Sequence, residues 1–443
     1  MWLSNSLIRY WKKIDNTPIG LKMAKSSFWS LLGAFISRGM TLLASIIVAR
    51  MIGINGFGEL GIIQNTIGMF GVFAGLGLGI TATKYISEYR FRDPAKAGRI
   101  ISLSVTIAWG TGLIAAIILY ICAPWLAEKT LAAPYLEPEL RISSILILLG
   151  AVNGVQTGII TGFEAFKIVA RINIISGIAS FPLMVGGAWL WKVDGAILGM
   201  IVVLAINVIL SEYAIRFKIT LGEVQLKNKN ICLELPIIWR FTLPSVIAGT
   251  MVGPVNWICG SKLVNQPNGY YEMGIYNAAN QWFQVIVFIP AILSSTILPV
   301  LSSNGIAGSD SRRVLWLSII AISLTVIPVA IILCTFGPAI MGLYGKSLNN
   351  CNEVLIVVIS TAVLVSVMYP VGQMLVADNQ MWKGLIMNLG WATAFIVLLY
   401  FMLPINAIGL AWARFIAYIF HATWVSVYFI SFYKRIIYNA KGI

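Results

Sequence analysis

Arg38 is a lone cation halfway along an apolar stretch, and small polar residues flank it at helical spacing. At about 100° per residue, Ser30, Ala34, Ser37, Arg38, Thr41 and Ser45 share one side of a helix. Leu32, Phe35, Leu42, Leu43 and Ile46 take the other side. A cation at that depth needs an anion, a carbonyl or water, so the stripe either lines a cavity or packs a helix with Arg38 answering a carbonyl. Asn277, Asn280, Gln281, Gln284 and Ser295 form a second stripe on a narrow arc. Their amides offer donors and acceptors without fixed charge, a chemistry suited equally to sugar hydroxyls, bound water or a neighbouring helix. Arg414, Tyr418 and His421 recur at helical spacing in a later segment, and Asn256 adds an amide beside Pro254.

Two carboxylates stand out by context. Glu59 lies in NGFGELGI (55–62) and Glu272 in NGYYEMGI (268–275), octapeptides that share five residues and are offset by 213 positions. Each straddles the start of an apolar stretch. A carboxylate there either holds a basic neighbour or a helix N-terminus, or couples a proton to movement.

Other chemistries find no residues. The five cysteines, Cys122, Cys232, Cys259, Cys334 and Cys351, include no CxxC pair, and His421 is the single histidine, so no His/Cys metal cluster can be assembled. GLGLG (75–79) has nucleotide-loop spacing but sits late in an apolar stretch, where glycines serve close helix packing. No GxxxxGK[ST] sequence occurs, and no catalytic cluster or large external loop to carry one is evident. The expected cofactor list is empty.

The elements that hold these residues are membrane helices. Hydrophobic residues make up 59% of the chain and charged residues 11%, with a mean hydropathy of +0.87. Soluble domains carry about a quarter charged residues. Apolar runs long enough for a hydrocarbon core of roughly 30 Å, without the short alternating strands of a barrel, predict an all-α polytopic membrane protein. Twelve spans are expected, near 26–49, 59–82, 100–122, 142–162, 169–191, 195–213, 241–261, 273–300, 314–335, 354–376, 381–403 and 406–430. Pro244, Pro254, Pro290 and Pro328 fall within spans and are expected to kink them. Trp2, Leu3, Leu7, Trp11 and Ile14 among basic residues suit a short helix on an anionic leaflet.

With both termini cytoplasmic, 23 Lys and Arg fall on the cytoplasmic side and six opposite, namely Arg50, Lys129, Arg141, Lys192, Lys262 and Lys346. The net charge of +15 therefore reflects topology and phospholipid contact, not nucleic-acid binding. The octapeptides mark the second and eighth spans, which enter from the same side. This predicts two pseudo-twofold-related six-helix lobes around a central cavity, a transporter architecture. The expected divisions are an interfacial segment 1–25, an N-lobe 26–213, a cytoplasmic connection 214–240, a C-lobe 241–430 and a cytoplasmic tail 431–443.

SRGMTLLASIIVARMIGINGFGELG (37–61) and TATKYISEY (81–89) resemble the polysaccharide-transporter branch of the flippase superfamily, which also holds multidrug exporters and peptidoglycan-precursor flippases. FTLPSVIAG (241–249), YEMGIYNAANQW (271–282) and ILPVLS (297–302) repeat the pattern in the second half. The resemblance is greatest to bacterial O-antigen-type translocases. It implies a cavity between the lobes and inner-membrane export of undecaprenyl-diphosphate-linked oligosaccharide, with a polysaccharide polymerase and a chain-length regulator as partners. It also implies a diphosphate-attracting role for Arg38, the position where related flippases carry a first-span arginine. The chain lacks the first-span aspartate of many multidrug exporters and the two extra spans of peptidoglycan-precursor flippases. A drug or metabolite exporter, and more remotely a membrane glycosyltransferase or polymerase, are the alternatives.

Overall fold

A computed structural model describes residues 18–220, 224, 231–235, 251–304, 309–377 and 381–440. The interfacial segment before residue 18, most of the inter-lobe connection with Lys227 and Lys229, Pro244, and the Ser295 side chain lie outside the described residues. Within them the chain is helical apart from short turns, and no strand occurs, as a lipid solvent requires: only a helix or closed barrel satisfies its backbone donors and acceptors internally.

The helices are α1 (Pro18–Gly75), α2 (Leu78–Tyr89), α3 (Pro94–Trp125), α4 (Glu137–Gly162) and α5 (Phe166–Thr220). After the connection come α6 (Val252–Val264), α7 (Gly269–Asn304), α8 (Ser309–Thr335), the single-turn-plus α9 (Gly337–Gly342), α10 (Asn352–Ala377), α11 (Met381–Met402) and α12 (Asn406–Ala440). Local chemistry sets several ends. Asp93 caps α3 by accepting from the Lys96 amide at 2.9 Å, with Pro94 at the first helical position. Gly53 bends α1 into two arms at φ 77°, ψ 169°, a conformation open to a residue without Cβ.

Seven continuous stretches are long and apolar enough to cross a membrane. Three of them, Leu31–Tyr89, Phe166–Ile219 and Trp382–Ser431, hold 59, 54 and 50 residues, far beyond the roughly 20 a single crossing needs. Each is broken near its middle: at Gly53, at Trp191–Lys192, and at Asn406 with φ 58°. Counted as pairs they bring the crossings to ten among the described residues, with α7 and the 13-residue α6 beside them at the positions of the expected seventh and eighth spans. The breaks therefore fall between spans, whereas α7 and α8 run on as helix through Pro290 and Pro328. A further interruption at Leu76 and Gly77 separates α1 from α2. Beside it, a Cβ on Gly79 would lie 2.6 Å from the Gly154 carbonyl oxygen, so this glycine of GLGLG serves a close helix crossing.

Side chains sort as lipid demands. Ile114, Ile121, Leu324 and Ile331 are exposed along helix flanks, while Trp125, Trp189, Trp191 and Tyr400 are exposed at span ends, where amphipathic rings favour the membrane interface. Helices α1–α5 pack mainly on one another, as do α6–α12, and the chief contacts between the groups run from α1 to α6 and α7. The paired octapeptides make that crossing. A side chain on Gly58 would collide with the Tyr270 carbonyl, and one on Gly274 with the Ile54 carbonyl. A Cβ on Gly61 would fall 2.8 Å from Asn277.

Candidate functional site

A cavity of about 440 Å³ opens between the two groups of helices. From the first arm of α1 it receives Arg38, Thr41 and Ser45, which repeat at helical spacing, and from α7 it receives Gln281 and Gln284. Arg38 is exposed within it, and its guanidinium carbon lies 4.3 Å from the centroid of the Phe288 ring, a cation–π contact reaching across the cavity. The ring thus holds the guanidinium from the α7 side while leaving it accessible in the cavity. The small-polar stripe divides. Thr41 donates to the Ser37 carbonyl at 2.9 Å and approaches the Ser180 hydroxyl at 3.4 Å, whereas Ser37 packs under Gly177 of α5. Leu42, expected on the apolar side, also lines the cavity, because the opening is wider than one polar arc.

Arg414 lies elsewhere. It lines a separate cavity of about 100 Å³ with Asn65, Asn256, Tyr276, Asn280 and Gln284. Only 5% of its surface is accessible. Its Nη1 donates to the Tyr276 hydroxyl at 3.0 Å and to Asn280 Oδ1 at 2.9 Å, and its guanidinium carbon stands 4.0 Å from the Phe283 centroid. Gln284 borders both cavities, so it joins the two arginine sites. His421, two turns beyond Arg414 on α12, lines neither.

The amide stripe separates by depth. Asn277 donates to the Phe57 carbonyl at 3.3 Å, and Gln281 donates to Ser45 Oγ while accepting from the Tyr344 hydroxyl at 3.0 Å. These two amides fasten α7 to α1. Asn280 is committed to Arg414, and exposed Gln284 is the one that faces open space. The glutamates have structural partners: Glu59 accepts from the Tyr135 hydroxyl at 2.9 Å, and Glu272 accepts from the Ala407 amide at 3.1 Å, at the N-terminus of α12. An anionic group there complements the helix dipole.

Gln64 and Asn207 also line the larger cavity, and Asn65 the smaller. Sequence reasoning missed them because Gln64 and Asn65 are neighbours and Asn207 stands singly in its span, so none forms a stripe at helical spacing. An amide inside an apolar helix was the available signal. Among the described residues, no group of His, Cys, Asp and Glu is placed to hold a metal.

Comparison with known proteins follows this geometry. In fold, the chain is similar to an inward-facing multidrug-resistance MATE-family transporter of the MOP superfamily, with a TM-score of 0.65 at 16% identity over 92% of this chain and 99% of that one. A eukaryotic MATE transporter superposes with a TM-score of 0.70 at 11% identity, covering 94% and 99%. Among curated sequences, the EPS I polysaccharide export inner membrane protein of Ralstonia nicotianae is 24% identical over 64% of this chain and 64% of its own length. The lipid III flippase of Escherichia coli K12 is 23% identical over 64% and 68%. The chain thus spans about two-thirds of the curated relatives it matches. A family model described as polysaccharide biosynthesis protein matches residues 23–304, a stretch that includes Arg38, both octapeptides and the amide stripe but not Arg414. That match covers more than half of the sequence, and the chain belongs to the polysaccharide biosynthesis protein family.

Proposed function

We propose that this protein is a bacterial inner-membrane flippase that carries undecaprenyl-diphosphate-linked oligosaccharide from the cytoplasmic to the periplasmic leaflet. The observation that carries the reading is exposed Arg38 at the wall of a cavity between two groups of membrane helices, mostly apolar but set with hydroxyls and amides. A guanidinium presents a planar fork of donors to phosphate oxygens, and Thr41, Gln64, Asn207 and Gln284 offer uncharged partners to sugar hydroxyls. The polyprenyl tail stays in lipid against the apolar helix flanks. Arg414 assists from the adjoining cavity through Gln284, and Asn256 completes that wall.

The lobes, 26–213 and 241–430, would alternate by rocking about the α1–α7 crossing. The hydrogen bonds between described residues of the two groups cluster on segments 45–66 and 130–131 of one and 257–281 and 342–344 of the other. With cytoplasmic termini, that is chiefly the periplasmic half, so this arrangement corresponds to the cytoplasm-facing state. Outward movement of a diphosphate with roughly two charges through an inside-negative potential releases about 4–5 kcal/mol per 100 mV. The carrier therefore has a driving force without an obligatory coupled ion. A polysaccharide polymerase and a chain-length regulator would take the product.

The test is a deletion strain lacking any second flippase. Lipid-linked repeat units should accumulate facing the cytoplasm and return to normal with the wild-type gene; unimpaired surface polysaccharide in the deletion contradicts the reading. The shared fold with multidrug transporters motivates a second reading, drug or metabolite export. Altered drug accumulation with intact surface polysaccharide would select it.

A further inference from the structure

A third cavity, of about 370 Å³, lies where the Gly53 bend of α1 meets the loop following α9. The first group of helices contributes Arg50 to it, and the second contributes Lys346 and Ser347. No carboxylate lines it. Arg50 donates from Nε to the Leu343 carbonyl and from Nη2 to the Gly342 carbonyl at 3.3 Å, so uncharged acceptors hold its fork in place. The ring of Tyr344, 5.7 Å from that of Phe57, docks the same loop onto α1, and its hydroxyl is already given to Gln281. The result is a pocket lined by two positive charges, one from each side of the junction, Arg50 held by two carbonyls and Lys346 exposed, with Ser347 beside them.

We propose that this junction is a second anion site, taking a phosphate group on the periplasmic side, and that its occupation holds the lobes together at that end. The placement on the periplasmic side rests on the proposed orientation. Two like charges facing one cavity oppose the closed junction, and a dianion between them removes that opposition. Hydrogen bonds from a guanidinium to an ionised phosphate are roughly twice as strong as those to neutral acceptors. Residues from both sides form the site, so it exists only while they are joined. A ligand that binds one state alone must shift the population toward it. Phosphate at the outer surface would then favour return to the cytoplasm-facing state after release of cargo. Either an anionic phospholipid headgroup or free phosphate supplies that chemistry.

The experiment uses the purified full chain in phosphatidylcholine nanodiscs, with spin labels replacing Lys129 and Lys262, and reads the distance distribution by pulsed EPR. Inorganic phosphate should enlarge the short-distance population at least threefold over chloride at equal ionic strength. Lys346→Gln and Arg50→Gln should each abolish the response. Phosphatidylglycerol in place of part of the phosphatidylcholine should produce the same shift without added phosphate if the headgroup is the source, and none if free phosphate is. Absence of a shift in both arms, or a shift that persists in Lys346→Gln, overturns the site. Neither result bears on whether the protein moves lipid-linked oligosaccharide, which the deletion strain decides separately.

Discussion

Arg38 and Arg414 carry the same charge in opposite settings, and their variants should fail differently. Arg38 is exposed in a cavity and fixed by one aromatic ring, so Arg38→Ala should leave abundance and thermal unfolding unchanged. It should lower transport about 10- to 100-fold, the worth of a lost charge-assisted hydrogen bond. Arg414 is buried against Tyr276, Asn280 and Phe283. Arg414→Ala should destabilise the protein by about 2–4 kcal/mol, through a new cavity and two orphaned polar groups, as thermal unfolding in detergent would show. Full transport by Arg38→Ala at normal abundance would remove that residue from the mechanism. Glu59→Gln keeps an acceptor for the Tyr135 hydroxyl and should leave transport and its ion dependence intact. Loss of ion-dependent transport without loss of folding would instead mark Glu59 as a coupling group. The cationic residue at the larger cavity was legible in the sequence because a lone arginine in an apolar stripe is costly. That Arg38 and Arg414 occupy different cavities was not, since helical spacing places residues on a face but says nothing of which neighbour covers it.

The α1–α7 crossing depends on atoms that are absent. Gly58 and Gly274 let each helix approach the backbone of the other, and larger residues would drive them apart. In a chain freed of native cysteines, a cysteine pair replacing Thr130 and Asn265, where the Asn265 side chain donates to the Thr130 carbonyl at 2.7 Å, should cross-link readily. Adding Gly58→Leu should cut that cross-linking several-fold; unchanged cross-linking would show that the crossing is not what holds this end. The octapeptide repeat announced two equivalent helix entrances from their spacing alone. That they touch each other, and that Asn277 and Gln281 serve this contact, depended on how the helix groups dock. The Asp93 cap and the Gly53 bend were not read from the sequence, although both have local causes, a side-chain acceptor before Pro94 and a residue without Cβ. The break at Trp191–Lys192 falls at the expected limit of the span 169–191, whereas the one at Leu76–Gly77 interrupts the expected span 59–82.

The proposed topology, twelve crossings with cytoplasmic termini, would place Lys192 and Lys346 outside and Lys218 inside. Cysteines substituted at the first two should react with a membrane-impermeant maleimide added to intact spheroplasts, and one at Lys218 only after the membrane is opened. The reverse pattern would invert the topology, and with it the direction of transport. Composition made the all-helical membrane architecture the most readable level, because lipid imposes it on every segment at once. What remains decisive is movement of cargo. Purified protein in liposomes bearing fluorescent undecaprenyl-diphosphate-linked oligosaccharide should expose the glycan to an impermeant lectin or glycosidase on the far leaflet within minutes. The rate should rise with an imposed potential negative on the side of loading, and Arg38→Ala should lower it about 10- to 100-fold. Exposure no faster than in protein-free liposomes, with the protein folded and correctly inserted, would contradict the account.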